Sequence, residues 1–510
     1  MSRMGRRFLV VFVLTSLTLS TMSIRAVDVV FYLQPPVSAD AWNHGAYFHN
    51  IEVQFISDKD GQILAFQDGT VDVVSYPLSL SEAQQLQTSV SAASLEIRSY
   101  MEYLLVLDTS RYPLNSSALR RSIAYALDKT AIAEQNNGEN LRAVDCVVPS
   151  GSPFSEEGDF GGIYYDSTVT IANSTLDNAG FLDIDHDGFR EAPDGTALVL
   201  DMAFPFDDSI AHTIADTLRS NLQRVGLNVS MHAFESFFWS EYIIQLYHHN
   251  GLDLTVFPSY FPLQDIRWLD YWFNSQNMGI YGANLCQLAN SSVDSELSVL
   301  MTSSDWDVVR SACGEVQRLL LELCPVIPVV EVSKYLVYDP SVHVDLPIGT
   351  YHWDTLLWQL LFGSRGPSEE GSMVTGSITA PLLSEELAER PLLFTSQSRV
   401  LFGLLADPLL RLTPEGSVSP WAGTIAEVRT FLDSPTIPEG HQQFVIDLRS
   451  DLTWSNGSHV TVEDAAASVL TYCDAASLPS RLGLDRIAVS YTHLRAHETR
   501  HDLVCRLLLE

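Results

Sequence analysis

Two groups of residues in this chain have the types and spacing that chemistry needs. Asp183, Asp185, Asp187 and Gly188, followed by Glu191 and Asp194, set carboxylates at alternating positions around a turn glycine. A calcium ion takes about six to eight oxygen ligands, and a loop of this spacing can wrap them around it. The text that follows is strand-like and lacks the usual exit helix, so a polar turn between helix and strand accounts for the same residues. Near the end of the chain His497, Glu498 and His501 spell HExxH. On a helix this places two imidazoles on one face for zinc and a carboxylate beside the metal-bound water, the arrangement of a zinc metallopeptidase. Elsewhere no Ser/His/Asp order, phosphate-binding glycine loop or CxxC pair stands out.

The HExxH motif sits in residues 489–510, which break abruptly with the acidic, lysine-poor text before them. This stretch resembles translated sequencing adapter, with Arg500 and His501 encoded by the sample barcode. It is therefore set apart from the fold, and the zinc reading goes with it.

Composition bounds the rest. A chain of 510 residues, 46% hydrophobic and 18% charged, can bury large cores and should form more than one domain. Lys and Arg number 29 against 63 Asp and Glu, a formal net charge of −34, which argues against nucleic acid as a partner and suits the solvated surface of an exported protein. Arg3, Arg6 and Arg7 precede the apolar run 8–19, and Ala26 offers a cleavage point, so residues 1–26 read as a signal peptide. Ile24 is a mediocre residue for that cut, which leaves an uncleaved anchor as the alternative. Six cysteines are too few and too scattered for a disulfide framework. Cys313 and Cys324 share one predicted helix at a separation of roughly 16 Å, too far apart to bond.

The elements that must position any site alternate between strand and helix. IEVQFI, GQILAFQDG and VDVVSY give a strand, a helix and a strand within residues 27–110. Residues 118–134 predict one amphipathic helix. Residues 211–225 predict another, stopped at Gly226 by a left-handed cap and followed by the strand LNVSMHAF. A helix over 305–323 ends at Pro325 and leads into VIPVVEV. GSRGPSEEG, residues 363–371, reads as a linker, with a β-rich segment after it.

Five blocks in order give this text a family resemblance: DGTVDVVSYPL at 68–78, LRRSIAYALDKTAI at 119–132, NAGFLDIDHDGFREAPDGTALVL at 178–200, SSVDSEL at 291–297 and CPVIPVV at 324–330. They resemble extracytoplasmic solute-binding protein family 5, the peptide, nickel and oligosaccharide receptors of ABC importers. PLLRLTPEGSVSPWAG at 408–423 and FVIDLRSDLTWSNGSHVTVEDAAAS at 444–468 resemble the beginning of the same family, yet follow its end. The resemblance implies an α/β, two-lobed, type II periplasmic-binding-protein-like fold, incomplete or circularly permuted. Its implied layout is 27–110 for part of lobe I, 111–340 for the ligand-binding lobe II and 341–362 for the return to lobe I. The linker 363–371 then joins the family's N-terminal segment at 372–488. That segment is either a permuted opening part of the same fold or the start of a truncated second copy.

The resemblance further implies an exported binding protein, without catalysis, whose partners are a small ligand and an ABC permease. Tyr76 lies on the strand that enters the cleft, and residues 259–275 correspond to cleft-lining text. There Tyr260, Phe261, Trp268 and Trp272 would stack on sugar rings or apolar side chains, while Asp265, Asp270 and Asn284 would orient the ligand. Trp268 and Trp272, four positions apart, equally fit one buried helix face. Peptide receptors of the family carry an aspartate in this block to hold the ligand's terminal amine. Phe261 stands in its place, which favours an oligosaccharide over a peptide. A non-transport surface protein reusing the fold is the remaining alternative.

Overall fold

Four of the described helices begin on short acceptor side chains that satisfy the first free backbone N–H groups. Asp58 accepts from Gly61 N at 2.7 Å to start Lys59–Gln67. Asp208 accepts from Ile210 N and Ala211 N, both at 3.0 Å, to start Ser209–Arg224. Asn290 and Asp305 do the same for Ser291–Thr302 and Trp306–Leu323. Gly226, at φ +74°, follows Ser209–Arg224 in the left-handed turn foreseen for it. The helix expected over 118–134 is instead two, Ser117–Ala126 and Lys129–Gln135. Leu127 turns to an extended conformation, and Asp128 then accepts from Ala131 N at 2.9 Å as a new helix start.

These elements come from a computed structural model that describes residues 26–34, 50–56, 58–135, 138–159, 164–236, 252–261, 263, 266–279, 283–303, 305–343, 364–365, 372–377, 407–412, 418–430, 433–434, 436–437, 441–473 and 487–491. The chain divides into two units, one formed by residues 79–82 and 96–334, the other by 1–78, 83–95 and 335–510. Both are α/β.

In the unit of residues 96–334, Ala93–Leu107 runs antiparallel to Leu254–Ser259, which lies parallel to Val199–Pro205 and through it to Asn228–Phe234. Val326–Tyr338 belongs to the same sheet and pairs with Asn140–Ala143. Side chains alternate along a strand, so Ala93–Leu107 feeds two cores. Tyr103, Leu105 and Leu107 pack with Ile210, Ile214 and Leu218 of the helix Ser209–Arg224. Leu104 and Val106 pack with Phe261, Trp268, Val316 and Leu320.

Two buried cations brace this unit. Arg120 is 4% exposed, and its guanidinium donates to the carbonyls of Leu114, Leu323 and Cys324, which closes the C-terminal end of Trp306–Leu323 where the backbone carbonyls are otherwise unpaired. Lys129 donates from Nζ to Asp145 Oδ1 at 2.5 Å and to the Val144 carbonyl at 2.8 Å.

In the unit holding both ends of the chain, Asn50–Phe55 pairs in parallel with Ser372–Ser377 over all six residues. Thr375 also reaches Val73 on Val73–Leu78. Beneath, the buried Gln62 accepts from Ser75 N and Ser75 Oγ, both at 3.1 Å. A second sheet has the order Gly423–Thr430, His441–Arg449, Ala26–Gln34, Ile487–Tyr491. The last of these strands pairs Val29 with Val489 and Phe31 with Tyr491, so it runs across the sequence boundary placed at residue 488. Thr461 and Asp464 exchange side-chain bonds with each other's backbone N–H at 3.2 and 3.1 Å, a reciprocal cap for Val462–Cys473.

Candidate functional site

The strand Leu254–Ser259 delivers the aromatic block, and the short helix Trp268–Phe273 folds it back on itself. Phe261 stacks on Trp268 with ring centroids 4.0 Å apart and planes 22° apart. Trp272 meets Phe261 edge-on at 5.1 Å and Phe257 at 5.4 Å. Phe261 is 6% exposed and Trp268 9%, so their faces are spent largely on each other, as the buried helix-face alternative describes. Tyr260, next in the chain to Phe261, is 64% exposed.

The polar residues of the block fall differently. Asn284 is fully buried: its amide nitrogen donates to the carbonyls of Asn274 and Leu288 at 3.1 and 2.9 Å, and its oxygen accepts from Leu288 N at 3.0 Å. It ties a loop together with every group in use. Burial holds the Asp270 carboxyl above its ordinary range, although the Asn274 amide bonded to it pulls the other way. Asp265 lies outside the described residues, as do His497, Glu498 and His501. Tyr76 is half-buried on Val73–Leu78, in the other unit.

Sequence reasoning passed over a set of buried acids behind the aromatic block. Glu102 stands opposite Ser259 in the ladder and is 1% exposed, and neither of its carboxyl oxygens has a hydrogen-bond partner. Burial first, then the neighbouring Glu331 and Glu157, hold its carboxyl well above the ordinary range; Lys129 opposes them. Glu331 is satisfied by Ser150, whose hydroxyl donates at 2.6 Å and whose backbone N–H donates to the other oxygen. Glu157 accepts from Asp145 N at 3.0 Å and Cys146 N at 2.8 Å. The signal was present in the sequence as one acid inside the apolar run MEYLLVL. The indole Nε1 of Trp268 is another of the buried polar atoms without a partner in this unit.

Among the described residues, Asp183, Asp185 and Asp187 are the acidic group whose oxygens all lie within 4.8 Å of one another. Their turn is organised by its own backbone: Gly188 N donates to Asp183, Asp187 N to Asp185 and Phe189 N to Asp187. Asp183 Oδ1 is buried with no partner. The two other candidate ligands lie outside this group. Glu191 accepts from Ile184 N at 2.7 Å, and Asp194 accepts from the hydroxyl and backbone N–H of Thr196, bonds that hold its carboxyl below the ordinary range.

Residues 37–277 match the family model described as "Bacterial extracellular solute-binding proteins, family 5 Middle". This stretch, a little under half of the chain, is similar to that family. The chain is similar to the Oligopeptide-binding protein OppA of Bacillus subtilis (strain 168), 24% identical over 202 residues, which cover 39% of this chain and 34% of that protein. It thus spans about a third of the curated relative it matches. Solved structures similar to it include NikA from Brucella suis in complex with Fe(III)-EDTA (TM-score 0.48, 18% identity, 61% of each chain). AppA from Bacillus subtilis in complex with a nonapeptide has a TM-score of 0.48 at 15% identity, covering 61% of this chain and 59% of that one. No helix among the described residues is long and apolar enough to cross a membrane.

Proposed function

We propose that this protein is an extracytoplasmic receptor that captures peptides for an ABC importer and catalyses no reaction. The family 5 match over residues 37–277 carries the reading, and the oligopeptide-binding relative supports peptides as the ligand class. The burial of Phe261 and Trp268 against each other takes up two of the four rings offered for stacking on sugars, which favours peptides over oligosaccharides. Export is proposed from residues 1–26. Incubating the full chain with a casein hydrolysate, desalting it and analysing what stays bound by mass spectrometry tests the reading: intact short peptides are expected. Retention of malto-oligosaccharides but no peptide would move the ligand class to sugars. Zinc-dependent cleavage of the hydrolysate, lost on His497→Ala, would replace the receptor by a metallopeptidase.

We further propose that the segment after residue 371 supplies the opening part of the same fold rather than a second copy; the ladder between Asn50–Phe55 and Ser372–Ser377 within one unit supports this. Calcium at the acidic turn is also proposed. Asp183, Asp185 and Asp187 would hold it, and the unpartnered Asp183 Oδ1 suits an added cation.

A further inference from the structure

We infer that Glu102 anchors an ammonium group of the bound ligand. The inference rests on the peptide-receptor reading and deepens it by naming the residue that takes over from the aspartate whose place Phe261 holds.

A carboxyl taken out of water without hydrogen bonds is among the more unfavourable things a folded chain can carry, and buried polar groups in native proteins almost always have partners. Glu102 has none on either oxygen at 1% exposure. Its charged neighbours include two further acids, Glu331 and Glu157, and the cation acting on it, Lys129, is already bound to Asp145. A cationic group of a ligand would supply the partner this carboxyl lacks. A divalent metal needs several oxygens converging on one point, and among the described residues three such oxygens converge only at the Asp183 turn. An ammonium group needs fewer: one carboxylate, with aromatic faces or edges nearby for the rest of the ligand.

Placement agrees with this chemistry. Glu102 alternates with Leu104 and Val106, so it belongs to the strand face whose core contains Phe261 and Trp268. Its ladder partner Ser259 shares that face, and Phe261, two residues on, continues it towards Trp268. An acid behind an aromatic block suits the amine end of a short peptide. Burial and the adjacent acids keep the carboxyl protonated until a cation takes the proton's place.

The test compares a casein hydrolysate with the same hydrolysate acetylated at its amines, using the full chain and its Glu102→Gln and Glu102→Leu variants. Retained peptides and the thermal midpoint are the readouts. The wild type is expected to bind the unmodified pool at least ten-fold more tightly than the acetylated one, and Glu102→Gln to bring that ratio near one. Glu102→Leu, which removes the unpartnered carboxyl, is expected to match or exceed the wild-type midpoint while losing the preference. Equal binding of both pools, or a preference that survives Glu102→Gln, overturns the anchor and leaves the peptide receptor standing. A marked fall of the midpoint in both variants shows the carboxyl to be a structural group and overturns it too. If neither pool binds the wild type, the receptor reading fails and the anchor with it.

Discussion

The pair Lys129 and Asp145 offers the sharpest test of how the unit of residues 96–334 is held. Both side chains are 1% exposed, Nζ lies 2.5 Å from Oδ1, and the Tyr165 ring sits 5.8 Å from the ammonium. Two unit charges at that separation attract by about 7 kcal/mol at an effective dielectric of about 20, most of which offsets the desolvation of both groups. Lys129→Met keeps the length of the stem but leaves a carboxylate buried without its cation. Breaking one side of such a pair costs about 3–5 kcal/mol. With a urea slope of about 2–3 kcal/mol per molar, the midpoint should fall by about 1–2 M, measured by equilibrium unfolding followed by circular dichroism. Adding Asp145→Asn should restore much of the loss, because the amide removes the stranded charge yet keeps an oxygen for Tyr164 N, which now donates to Asp145 Oδ2. Additive single and double losses would refute the coupling, as would a drop below about 0.5 M for Lys129→Met.

Other outcomes follow from features elsewhere. Millimolar calcium should raise the thermal midpoint by about 5 °C if it saturates the acidic turn, through its preference for the native state, and Asp185→Asn with Asp187→Asn should abolish the gain; an unchanged melting curve leaves only a polar turn. Burial pushes the thiols of Cys286 and Cys313 up to about 12 and that of Cys324 up to about 11, so at pH 8 iodoacetamide should spare these residues in the native protein and modify them in urea. Rapid native alkylation of Cys313 would contradict its burial. A chain ended at residue 371 loses the strand partner of Asn50–Phe55, so limited proteolysis should cut within residues 50–78 while sparing 96–334; equal resistance of both regions would sink that view of the sheet.

Local chemistry made much of the fold readable from the sequence. Gly226 stopped its helix where a left-handed residue was needed, and Asp305 and Pro325 bracketed another, because caps and breakers act within a few residues. The break at Leu127 was not readable: Asp128 looks like a surface helix residue until its backbone N–H is seen to donate to Asn221, far along the chain. The site divides in the same way. Aromatics gathered at 260–272 marked a cluster, but sequence spacing alone does not tell a ring that stacks on a ligand from one that stacks on its neighbour, as Phe261 and Trp268 do. Glu102 went unnoticed because its meaning lies in partners it lacks, and only a fold reveals a lack.

The ladder between Asn50–Phe55 and Ser372–Ser377 has a consequence for how this protein is made. The first of these strands emerges early from the ribosome, and its neighbour follows only after the whole unit of residues 96–334 has been synthesised. At about 5–20 residues per second the wait lasts roughly 15–60 s. Throughout that interval the early strand has an open edge that other chains can pair with. That edge needs shielding until the two distant strands can meet.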